Sequence, residues 1–244
     1  MIEAHKKILI VSMPMVDSDL KLYLAPSRCI DSDDPLVVDF AHSAIGSEAD
    51  AVKKSVKLFY AVRDNVNYDP YSPFYKPEHY HGRFVLQRGR GFCVSKASLL
   101  CALARACNIP SRVGFATVKN HIATKQLLET LGTNVFAYHG FTEFYLNKKW
   151  VKATPAFNKE LCILHKVSPI EFNGVDDAIF PEYNSENKLY MEYLDYHGSF
   201  YDVPVETIIT AWKECYGSER VELWITLFEQ NFANRKFEGE EIVK

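Results

Sequence analysis

The chain has 244 residues, with 28 basic and 31 acidic side chains and a net charge of −3, and 48% of its residues are apolar. This composition excludes disorder for the bulk of the chain, and a near-neutral balance argues against a polyanion as the main partner. No nucleic-acid partner is expected.

The apolar run Ile8-Leu9-Ile10-Val11 is too short for a signal peptide or a membrane span, and Ser12, Pro14 and Asp17 interrupt it. A cytoplasmic protein with no membrane partner is expected. The six cysteines include no CxxC pair, and without an export signal they are expected to stay reduced. His79 and His81 form an H-x-H without a third ligand at a diagnostic spacing. No EF-hand loop is present, so neither a metal nor an organic cofactor is expected.

The chain reads as one domain in three stretches. Residues 1–46 read as strands and loops. A helix opens with Ser47 and Asp50, carrying Val52, Val56 and Phe59 inward. From Asn67 to Arg90 the prolines predict a long irregular loop. Gly89-Arg90-Gly91-Phe92 then leads into a helix over Cys93–Cys107, with Val94, Ala97, Leu100, Ala104 and Cys107 on one face; Asn108 and Pro110 end it.

A strand over Ser111–Val118 and a short helix over Ile122–Leu131 follow. The hairpin Val135–Leu146 then turns at Asn147-Lys148 and returns through Trp150–Thr154, with His139, Phe141, Glu143 and Tyr145 on one strand face. Residues 166–200 read as loop. Two helices follow, Pro204 to Gly217 and one capped by Ser218 with the stripe Val221, Trp224, Ile225 and Phe228. The tail from Asn234 reads as frayed. Helix, then strands, then helices fits an α+β fold.

Cys93 opens the central helix, where unsatisfied N–H groups and the macrodipole favour an anion. A thiol placed there is a candidate nucleophile with a lowered pKa. A nucleophile needs a base, and His139 on its downstream strand is the best placed of the eight histidines; His121, at a strand end, is a candidate neighbour of the site.

The segment Gly89–Leu100, continuing through Ala104-Arg105-Ala106-Cys107-Asn108-Ile109-Pro110-Ser111-Arg112-Val113, resembles the core of the transglutaminase-like superfamily. His139-x-x-x-Glu143 followed by Trp150-Val151, and the upstream stretch Tyr60–Asp69, are similar to two further family motifs. Together they cover about residues 48–158. The resemblance implies a papain-like core, a nucleophile helix packed on an antiparallel sheet, and a Cys–His–Asp triad that attacks a carboxamide or peptide carbonyl.

Cys93 and His139 match that triad; the third member does not. Four residues after Trp150, where the family carries Asp, stands Thr154. Asn158 is the other candidate and is preferred, because an amide oxygen orients histidine in papain-like sites. Glu143 ranks third. The backbone N–H of Cys93 is an expected oxyanion donor, with Gln87 as a second. The stretch from Met191-Glu192-Tyr193 to Asp202-Val203-Pro204 looks like an extension carried by some bacterial members, within a loop-rich and helical C-terminal extension over residues 166–244.

The expected activity is acyl transfer through a thioester, to water or to an amine, on a peptide, protein or small amide. CoA-dependent transfer has no supporting feature in the sequence. The alternative is a binding or scaffold protein that kept the fold and lost the chemistry.

Overall fold

The structure is a computed structural model that describes residues 17–230. The run at Ile8–Val11 and the tail from Asn234 lie outside them.

Among the described residues of the N-terminal stretch, 17–46, helix and not strand dominates. After α1 (Asp17–Leu22), the acidic turn before Pro35 starts α2 (Pro35–Ile45). Asp34 is its N-cap, accepting from the Leu36 N–H at 2.8 Å, and Pro35 needs no N–H at the first helical position. The expectation of strands and loops over residues 1–46 missed this helix start. In α3 (Ala51–Asn65) Asp50, not Ser47, is the cap, accepting from Lys53 N–H at 2.9 Å.

The segment expected as one long loop is built from short pieces. These are β1 (Asn67–Tyr68), a 3₁₀ turn (Pro77–Tyr80), α4 (Gly82–Arg88) and β2 (Arg90–Gly91), with β1 and β2 pairing in parallel. The pairing carries the chain directly into α5 (Cys93–Ala106).

Every residue of α5 from Val94 to Arg105 is buried, so the helix is enclosed on all sides rather than presenting one apolar face. α2, α3 and α4 cover the side away from the sheet. Its polar side chains therefore hydrogen-bond internally. Lys96 Nζ donates to the carbonyls of Arg63 at 3.1 Å and Val66 at 2.5 Å, which are left open at the end of α3. Arg105 donates to the carbonyls of Ser111, Ala25 and Tyr201.

The other side of α5 meets an antiparallel sheet of order β5-β4-β3-β6, built from β3 (Ser111–Asn120), β4 (Val135–Leu146), β5 (Lys149–Ala153) and β6 (Met191–Phe200). The hairpin of β4 and β5 turns on Asn147 and Lys148, both at positive φ, as a tight two-residue turn requires. β6 lies in the stretch 166–200 that is expected to be loop. It is an edge strand with exposed Leu194 and Tyr196, and two register shifts against β3 break its alternation. α6 (Lys125–Leu131) spans β3 and β4, and α7 (Lys159–Leu164) follows β5. α8 (Val205–Tyr216) and α9 (Ser218–Glu229) close the described chain, with α8 packed on β4. The fold is α+β, with the nucleophile-candidate helix on an antiparallel sheet and a helical C-terminal extension. Among the described residues no helix is long and apolar enough to cross a membrane.

Candidate active site

Two local devices bring β4 to the start of α5. The first is a glycine. A β-carbon on Gly140 would stand 2.8 Å from the Val94 α-carbon, closer than real side chains approach, so only glycine admits the contact. The second is a bulge. Ala116 pairs with His139 but Val118 pairs with Phe136, so β4 carries one extra residue there. Tyr138 lies within it at φ +55°, an unfavourable conformation for a bulky residue, and its ring stacks on His197 at 4.2 Å. Bulges re-aim side chains and often lie beside active sites.

Cys93 and His139 consequently line one cavity of about 470 Å³. Cys93 is half-buried, and His139 is 5% exposed. Burial pushes the Cys93 thiol up to about 11. The N–H groups of Gly140, Val94 and Cys93 itself oppose that shift without overcoming it. Burial likewise pushes the His139 imidazole down to about 4. Both groups are thus neutral at rest, a thiol and an imidazole lining the same cavity. The lowered thiol pKa expected from the helix terminus does not appear, because desolvation outweighs the amide dipoles.

His139 Nε2 is buried and has no hydrogen-bond partner; the ring packs on Phe180 at 5.2 Å. Asn158, the preferred orienter, has its carboxamide engaged elsewhere. Its oxygen accepts from the Tyr68 N–H at 3.1 Å and its nitrogen donates to Glu160 at 3.2 Å, a local arrangement at the start of α7. Thr154 is buried, with its hydroxyl beside that of Tyr193 but in no well-formed hydrogen bond.

The remaining sequence candidates lie outside the cavity wall. Glu143 accepts from Arg112 Nε at 2.5 Å, and the Arg112 guanidinium lies 4.0 Å over the Trp150 ring. Both residues therefore belong to a sheet-surface cluster that ties β3, β4 and β5 together. His121 Nε2 lies 3.3 Å from Glu192, bridging the end of β3 to β6. Gln87 is exposed on α4, because helical spacing turns it away from buried Val85. His79 and His81 hydrogen-bond to the backbone of Lys76 and Arg28, and no group of three or more potential metal ligands occurs among the described residues.

Much of the cavity wall was not anticipated. Trp212 and Tyr216 of α8 and Arg220, Trp224 and Phe228 of α9 face Cys93 and His139 across it. The apolar stripe on α9 was visible in the sequence, but what it packs against was not. Gly140, a strand glycine next to a candidate base, was the legible signal for close approach.

The family model of the transglutaminase-like superfamily matches residues 38–155, a span that includes α5, His139 and Thr154. Over those residues the chain is similar to the transglutaminase-like core. Among solved structures, one described as a "Putative Cysteine Protease" from Cytophaga hutchinsonii is similar at 18% identity and a TM-score of 0.49, over 79% of this chain and 50% of that one. This chain thus matches about half the length of that structure. No curated protein matches the chain. α8 and α9 lie beyond the matched residues.

Proposed function

We propose that the protein is a cysteine-dependent acyl-transfer enzyme. The observation that carries this reading is that Cys93 and His139 line one cavity, each next in the chain to a partner in the close Val94–Gly140 contact. The Cys93 S–H proton passes to His139 as sulfur bonds the acyl carbon. The C–N bond then breaks, and the imidazolium returns its proton to the leaving amine. Water or a second amine resolves the thioester and releases the acid or a new amide.

The backbone N–H groups at the start of α5 are the oxyanion donors on offer, since Gln87 is exposed away from the cavity. Thr154 replaces Asn158 as the preferred third member, because the Asn158 carboxamide is already engaged. The substrate is a peptide or small amide. All six cysteines are unpaired, which supports a reducing, cytoplasmic compartment.

The second reading, a scaffold that lost its chemistry, draws on the unpartnered His139 Nε2 and the raised Cys93 thiol. An activated ester separates the two. With a p-nitrophenyl ester, the enzyme releases a burst of nitrophenolate and carries the acyl group on Cys93 by peptide mass mapping, and Cys93→Ala does neither. Absence of the adduct in the parent protein selects the scaffold.

A further inference from the structure

Resting on the proposal that Cys93 opens an amide, we infer that the C-terminal helices form the specificity pocket of that site. Its substrate is an amide bearing an aromatic or branched apolar group together with a carboxylate, which Arg220 binds. The cavity of about 470 Å³ lies within the roughly 300–1,000 Å³ of small-molecule sites, the size for a single residue or a compact ligand. Its wall opposite Cys93 is aromatic: Trp212, Trp224 and Phe228 surround Phe74, with ring centroids 4.6, 6.4 and 6.1 Å from it.

One cation stands in that apolar lining. Arg220 is half-buried against the Gly132 backbone, and among the described residues its guanidinium forms no ion pair and no hydrogen bond. Other arginines of the described residues hold carboxylates or carbonyls: Arg63 pairs with Asp64 and Glu171, Arg112 with Glu143, and Arg105 donates to backbone carbonyls. A planar fork of donors left open in an apolar wall matches a carboxylate. The rings beside it accept an apolar side group. α9 contributes the cation, Trp224 and Phe228, α8 contributes Trp212, and both helices lie outside the family-matched residues. Substrate choice is therefore assigned to the extension and chemistry to the core.

The test uses the full chain carrying Cys93→Ala, which separates binding from turnover. Isothermal titration calorimetry compares N-acetyl-phenylalanine with N-acetyl-phenylalanine amide, which differ only in the charge at the carboxyl end. The carboxylate is expected to bind at least about tenfold tighter, the scale of a charge-assisted hydrogen bond. Adding Arg220→Gln should erase that ratio. Arg220→Lys, which keeps the charge without the fork, should retain part of it and serves if the glutamine variant does not fold.

Equal affinities in the Cys93→Ala chain, no binding of either probe, or a preference that survives both Arg220 variants overturns the inference. Failure of the catalytic proposal reads differently. The carboxylate preference would stand while the parent chain neither forms a Cys93 adduct nor cleaves an amide.

Discussion

Gly140 and Val94 touch so closely that a β-carbon on the glycine would sit 2.8 Å from the Val94 α-carbon, and the residues that precede them, His139 and Cys93, line one cavity. Gly140→Ala must push β4 from the start of α5 or strain both. Overpacking of this kind costs about 1–3 kcal/mol. We expect a matching drop in denaturation midpoint, together with at least a tenfold loss of acyl transfer. An unchanged rate with unchanged stability would show that the contact is not what positions the pair.

Cys93 alkylation reports the neutral resting state. With the thiol pushed up to about 11, the iodoacetamide rate should climb about tenfold per pH unit from 7 and level off near that value. A thiolate–imidazolium pair would instead show a plateau of reactivity below pH 7. That plateau would contradict the burial-dominated electrostatics described above.

His139 makes stability sensitive to mild acid. The unfolded imidazole titrates near 6.5 and the buried one near 4, so the unfolded state binds the proton first as pH falls. The folded state loses about 3 kcal/mol across pH 6.5 to 4 through this one group. The loss is complete below the folded value, and none occurs above 6.5. Denaturant melts at pH 7 and pH 4.5 should show a smaller drop for His139→Gln than for the parent.

Lys96 has the same sign in an alkaline window. Burial lowers its ammonium from 10.5 to about 7, so the folded protein releases the proton first and gains stability as pH rises between those values. Lys96→Met should flatten that rise by up to about 1.4 kcal/mol per pH unit. The comparison of parent and variant slopes isolates this group from the other titrating residues.

The two third-member candidates separate by readout. Asn158→Ala leaves the buried Tyr68 N–H without its acceptor and should cost about 1–3 kcal/mol while sparing Cys93 reactivity. Thr154→Asp restores a charged acceptor at the family position and should raise the His139 pKa, measured by NMR titration, and bring alkylation to lower pH. If Asn158→Ala alone changes the alkylation profile, the preference between the two residues is reversed.

The α+β class, the central helix at Cys93 and the β4–β5 hairpin could be read from the sequence. Each rests on local rules: helix stops at Asn108 and Pro110, a two-residue turn at Asn147-Lys148, and a cysteine opening a buried helix. β6 was hidden because its register breaks twice against β3, so no simple alternation survives in the sequence. The fates of Asn158, Glu143 and Trp150 depended on partners far away in the chain: Tyr68 for the first, and Arg112 for the other two. The thiol's protonation state and the wall formed by α9 were likewise decided only in three dimensions. Desolvation depends on everything packed around an atom, and an amphipathic stripe shows that a helix has an apolar face without showing what that face covers.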